Sequence, residues 1–294
     1  MFYEDKKMKK RQFQFALHTI VFVSLMSCSN NENDFEDDYI ALPDLQERLY
    51  AGGETTIFLT SSNSFSTPAD NLSGSDLEIH LAGDFQFEAA FVTAPAEVNG
   101  GIGPIFNNSS CVSCHPKDGR SSFPKDINSL SGFFLRTSLP GIAEDGGPLA
   151  VPNFGLQIQN QAIFGYEPEG RFSVTFTPII ETLSDGTQVT LQKPTYSVLD
   201  TYSDFPSNAM TSPRLAPPVF GLGLLEAVPE AEILMYQDLN DLNGDEITGK
   251  ANYVYNPVSD SIELGRFGWK ANTATILEQC AGAYSGDMGI TTYL

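Results

Sequence analysis

The most specific chemistry in this 294-residue chain lies in the run Cys111-Val112-Ser113-Cys114-His115. Two thiols with two residues between them match the span of the two vinyl groups of a haem, and each can add across one vinyl. A histidine directly after the second cysteine then lies beneath the iron as its proximal ligand. Structural zinc would need a second Cys/His pair, and the other histidines are His18 and His80. A thioredoxin-like thiol pair would need a βαβ setting, which the surrounding pattern lacks. The spacing therefore points to one covalently attached haem c, held by Cys111 and Cys114 and ligated by His115.

The sixth iron ligand stays open in the sequence. Met288, Met210, Met235 and His80 are the available groups, and an empty site is the other reading. A methionine would favour electron transfer, whereas an empty position would admit a small oxidant such as hydrogen peroxide. A second stretch, Asp241-Leu242-Asn243-Gly244-Asp245-Glu246-Ile247, alternates acids and amides as calcium loops do. It has Glu246 where such loops need glycine and lacks the final bidentate glutamate, so calcium and a plain acidic turn both stand.

The N-terminus reads as a targeting signal. Lys6, Lys7, Lys9, Lys10 and Arg11 precede an apolar run from Phe15 to Met26, too short for a permanent membrane span. Leu25-Met26-Ser27-Cys28 resembles the bacterial lipobox, which makes Cys28 a lipidation site and the membrane a partner through a lipid anchor. Haem attachment of the Cys-x-x-Cys-His type takes place beyond the inner membrane. The expected location is therefore the cell envelope, on the periplasmic or outer-membrane face. Cys280 has no such assignment and reads as a small buried hydrophobe.

Charge narrows the partners. The chain carries 37 acids against 16 bases, a net charge of −21. Loss of residues 1–27 removes two acids and five bases and leaves −24. Nucleic acid is not an expected partner, because phosphate binding needs basic patches. An acidic surface suits a basic redox protein and equally serves solubility.

The elements that must position the motif follow from periodicity. Residues 1–27 form the signal, 28–75 an acidic and polar tether, and 76–294 the haem domain. Asp84 is a helix N-cap with Phe87 and Phe91 one turn apart on a single face, which predicts a helix over 84–93. Period-two alternation on either side of Asp185-Gly186 predicts a β-hairpin over about 171–199. Pro213, Pro217 and Pro218 mark a loop. Pro229 opens a helix to Leu239, and 274–283 forms a last helix. The expected fold is a mainly α, loop-rich cytochrome c-like haem domain with the β-hairpin inserted.

Several stretches carry a family resemblance. Around the motif stand Gly83-Asp84, Phe87-Glu88, Phe91, Gly101-Ile102-Gly103-Pro104-Ile105-Phe106-Asn107 and Asp118-Gly119-Arg120. Further on come 216–229 (Ala-Pro-Pro-Val-Phe-Gly-Leu-Gly-Leu-Leu-Glu-Ala-Val-Pro), 265–271 (Gly-Arg-Phe-Gly-Trp-Lys-Ala) and 286–291 (Gly-Asp-Met-Gly-Ile-Thr). Over about residues 80–294 the chain closely resembles the bacterial di-haem oxidoreductases, a family labelled peroxidase or thiol oxidoreductase. Ser121 departs from it, since glycine is usual there.

The resemblance implies a haem enzyme with a second Cys-x-x-Cys-His in a further domain. This chain reaches Leu294 without one, as expected of an N-terminal haem domain cut from a longer protein. A fainter likeness to di-haem cytochrome c peroxidases aligns Trp269, Leu277-Glu278-Gln279 and Asp287-Met288 with peroxidase segments. By that analogy Glu278 is a proton carrier in O–O cleavage. A plain electron-carrier cytochrome c lipoprotein, or a lipoprotein subunit using haem structurally or for sensing, are the rival readings.

Overall fold

The computed structural model describes residues 49–50, 52–124, 132–144 and 146–294. The chain divides into two units, Met1–Ala51 and Gly52–Leu294, and the cysteine motif lies in the second. The signal segment, Cys28 and the first part of the tether lie outside the described residues. Among the described residues no helix is long and apolar enough to cross a membrane.

In chain order the elements of the second unit are α1 (Gly74–Glu88), β1 (Ile105–Phe106), α2 (Cys111–Cys114), β2 (Phe133–Ile142), β3 (Pro148–Leu149), β4 (Gln161–Ala162), β5 (Arg171–Thr182) and β6 (Gln188–Leu199). Then come β7 (Met210–Leu215), α3 (Leu222–Ala227), α4 (Glu230–Leu234), β8 (Tyr253–Asn256), β9 (Ser261–Leu264) and α5 (Ile276–Met288). Helix accounts for 22% and strand for 27%. The expectation of a mainly α fold is therefore corrected: among the described residues four small antiparallel sheets stand beside short helices.

The reason is visible in the strands that periodicity does not reveal. The central sheet has the order β3-β2-β7. Phe133, Leu135 and Thr137 of β2 are buried and alternate with more exposed neighbours, but Pro140-Gly141 inside the strand imitates a turn. Pro213 imitates a loop in the same way. It is tolerated because β7 is an edge strand, where a missing N–H breaks no ladder on its free side. The hairpin β5–β6 has the bounds its alternation predicts, from Arg171↔Leu199 to Thr182↔Gln188. At its tip Gly186 takes φ +85° and Asp185 accepts from the Thr187 N–H at 2.9 Å.

Phe133, Leu135, Val151, Phe154, Ile158 and Phe172 form the core, with Tyr196, Val198, Phe205 and Leu215 packed against it. Phe133 meets Phe172 edge-on at 5.8 Å and stacks on Tyr196 at 5.1 Å. Each fully buried side chain of this size contributes about 1.5–3 kcal/mol. This core fixes the base of the hairpin against β2 and β7, so it holds β2 rigid beside the cysteine motif.

Three helices differ from their predicted bounds. α1 starts at an extended Ser73 N-cap, ahead of the predicted start, and Asp84 lies within it. The segment after Pro229 closes as the single turn and a half of α4. α5 runs to Met288, past its predicted end. Thr275 caps it by accepting from Glu278 N–H, and Gly289 at φ +65° ends it.

Candidate haem site

The motif sits on α2, a single turn. Ser110 caps it, its Oγ accepting from Ser113 N–H at 3.3 Å. The turn places Cys111 and Cys114 three residues apart on one helical face, and both thiols are free of disulfide. Burial pushes the Cys111 thiol up to about 11, with Cys280 adding to the effect. Burial likewise raises Cys114, with Asp287 contributing.

His115 closes the turn, its N–H bonding to Cys111 O at 2.9 Å. Its Nδ1 lies 2.6 Å from the carbonyl oxygen of Pro217. A carbonyl can only accept, so Nδ1 carries the hydrogen and Nε2 keeps a lone pair. Burial lowers the imidazole below its ordinary value, which favours the neutral ring. A neutral histidine oriented through Nδ1 by a backbone carbonyl is the form an iron ligand needs. The residues present thus fit a haem: two adjacent thiols on one face, and one imidazole with the correct nitrogen free.

Surrounding segments lock the turn in place. Ser121 N–H donates to Ala216 O at 3.1 Å, and Ala216 N–H to Gly132 O at 2.9 Å. Gly132 also hydrogen-bonds Cys114, so the start of β2 abuts the motif. Phe87 of α1 lies 6.2 Å from the His115 ring. Phe65 stacks on Phe220 at 4.1 Å, and Lys117 Nζ donates to Ser62 Oγ at 2.6 Å.

The C-terminal end of α5 forms the other wall. Asp287 O accepts from Asn107 N–H at 2.8 Å, and Met288 O from Gly103 N–H at 2.9 Å. Gln157 Nε2 donates to Asp287 Oδ1 at 2.7 Å and to Asn107 Oδ1 at 2.6 Å. Asn107 Nδ2 in turn donates to Ile158 O and Asn160 Oδ1, each at 2.8 Å. Burial raises the Asp287 carboxyl, while the Gln157 hydrogen bond and the Arg136 charge pull against it.

The predicted residues fall into two groups. Cys111, Cys114 and His115 converge. Met288 is buried at 3% exposure, next to Asp287 and against Gly103. Glu278 lies two residues before Cys280, which acts on the Cys111 thiol. It stands in the first turn of α5, where its Oε2 accepts from Ala274 N–H at 2.9 Å, about 13 Å along the helix from Asp287. Met210 begins β7 and Met235 follows α4, both exposed. His80 is exposed on α1 and acts on Asp118. In the acidic loop, Asp241 and Asp245 accept from the loop's own N–H groups at Glu246 and Ile247. Among the described residues no three His, Cys, Asp or Glu side chains form a metal cluster.

Sequence reasoning gives Asp287 no role and passes over Asn107 and Gln157. The one available signal is that Asn107 stands four residues before the first cysteine. Gln157 offers none, since its partners lie 50 and 130 residues away.

A family model described as "Di-haem oxidoreductase, putative peroxidase" matches residues 46–294. The chain belongs to the di-haem oxidoreductase family. No curated protein and no solved structure matches it. Membership agrees with haem as the cofactor, and the chain itself holds one Cys-x-x-Cys-His motif.

Proposed function

We propose that residues 52–294 form a haem c domain of a peroxidase-like oxidoreductase, with thioether bonds from Cys111 and Cys114 and Nε2 of His115 on the iron. The observation that carries this is the 2.6 Å contact between His115 Nδ1 and Pro217 O beside two free thiols on one turn. When bound, the haem supplies one-electron chemistry, passing electrons between a partner protein and a small oxidant such as hydrogen peroxide.

The chain's own groups do the rest. The Pro217 carbonyl fixes the plane and tautomer of His115. Asp287 serves as the proton-holding group: Gln157 occupies its Oδ1, and Oδ2 remains the oxygen at which a proton is kept or released. Arg136 supplies a compensating charge to the ionised form. Lipidation at Cys28 would tether the domain in the cell envelope, where the thioether bonds are made.

The test is to express the chain in a host that matures c-type cytochromes, denature it and extract with acid. Retention of the porphyrin in wild type, with loss in Cys111→Ser/Cys114→Ser, is the expected result. Porphyrin that is wholly released or absent would end the proposal. A high-spin ferric spectrum with rapid peroxide reaction supports the enzyme. A low-spin, peroxide-inert spectrum would replace it with the electron carrier, with Met288 as sixth ligand.

A further inference from the structure

The face of the β2–β7 ladder opposite the core carries two arginines that have no counter-ion among the described residues. The register pairs Phe134 with Arg214 and Arg136 with Ser212, so Phe134, Arg136 and Arg214 lie on one face while Phe133, Leu135 and Leu215 face the core. Arg136 and Arg214 are diagonal neighbours, a separation over which long side chains reach each other. Arg214 acts on Arg136 as a like charge. The Arg136 guanidinium lies over the Phe134 ring, 5.6 Å from its centroid. Among the described residues the one ion pair is Arg171–Asp200. Neither arginine therefore has a described carboxylate within salt-bridge distance, in a chain with 21 excess negative charges.

This face borders the haem motif. Gly132, at the head of β2, bonds Cys114. Gln157, which bridges to Arg136, donates to Asp287, and the Arg136 charge acts on the Asp287 carboxyl. Two arginines with no carboxylate within salt-bridge distance among the described residues, beside an aromatic ring, suit a flat ligand bearing two carboxylates.

We propose that Arg136 and Arg214 are the seat of the two haem propionates, with Phe134 against the edge of the macrocycle. This rests on the haem attachment proposed for Cys111, Cys114 and His115. With haem bound, the pair would neutralise the two propionates, while Cys111 and Cys114 would hold the vinyl side. Arginine suits the task because its planar fork meets a carboxylate with two parallel hydrogen bonds.

The experiment uses the full chain produced without haem attachment, titrated with ferric haem and separately with haem dimethyl ester, whose propionates are blocked. Wild type is expected to prefer the free acid by about tenfold or more, the scale of one charge-assisted pair. Arg136→Gln/Arg214→Gln should lose that preference while still binding the ester. Arg136→Lys/Arg214→Lys should keep much of it, which covers the case of a Gln variant that does not fold. Equal binding of acid and ester by wild type, or undiminished preference in a folded Gln variant, overturns the proposal. So does arginine-dependent binding of inorganic phosphate without any haem preference, which would mark a general anion site. Failure of wild type to bind either porphyrin, with no thioether haem in matured protein, would remove the haem reading itself.

Discussion

At the residue scale, two carboxyls raised by burial make measurable claims. Glu169 is 6% exposed, and burial pushes it up to about 7, although the Gln159 N–H at 2.6 Å works the other way. Its folded value exceeds the unfolded one, so the folded state binds the proton more tightly. The stability this confers is complete below about pH 4.5 and is lost as pH rises through about 7. The loss should be roughly 1–3 kcal/mol. Glu169→Gln keeps an acceptor for Gln159 and should flatten the fall in melting temperature between about pH 5 and 8; an unchanged slope would place its origin elsewhere. Asp287 is the second. Asp287→Asn keeps the Gln157 contact and removes the proton site. Peroxide reduction by the haem-loaded protein should fall about 100-fold or more, with porphyrin content unchanged. Glu278→Gln is the control: a rate near wild type assigns the proton-holding role to Asp287, and a comparable loss would assign it to Glu278, whose Oε2 accepts from Ala274 N–H.

At the scale of elements, α5 decides where Asp287 stands, and both its ends can be tested. Thr275 Oγ1 accepts from Glu278 N–H at 3.2 Å, so Thr275→Ala should cost about 1 kcal/mol in denaturant unfolding. The other end is held by close backbone packing. A Cβ on Gly103 would lie 2.6 Å from Gly289 Cα, so backbone would have to part from backbone. Gly103→Ala should cost about 1–3 kcal/mol. It should also lower the yield of haem-loaded chain, since the Gly103–Met288 bond sets the wall beside the motif. Helix α2, by contrast, is too short to be stable alone. It holds its thiols in place through Ser110, the Ala216–Gly132–Ser121 bonds and Pro217.

For the whole molecule, net charge makes a testable claim. The chain carries −21, and the proposed loss of residues 1–27 would leave −24; electron exchange with a lysine-rich donor should then slow steeply as salt rises from about 10 to about 200 mM, because screening shortens the reach of the field over that range. A salt-independent rate would mean that the acidic surface serves solubility alone.

The cysteine motif, the hairpin about Asp185-Gly186 and the last helix were legible because their signals are local. A two-residue spacing and a period-two alternation need no knowledge of the rest of the chain. The mainly α expectation failed where a local signal misled: Pro213 reads as part of a loop, yet it lies in a strand. In the case of Pro213, only the assembled sheet reveals a free edge that tolerates the missing donor. The surroundings of the haem were illegible for a related reason. Asn107, Gln157 and Asp287, and likewise Arg136 and Arg214, are far apart in sequence and meet only when the core draws β2 and the 150s segment against α5. Amino-acid sequence by itself determined which groups can hold iron porphyrin, since that chemistry resides in adjacent side chains. Tertiary structure alone decided which carboxyl stands beside the cysteine motif and which cations face it from β2 and β7, because long-range packing, not residue type, sets burial and proximity.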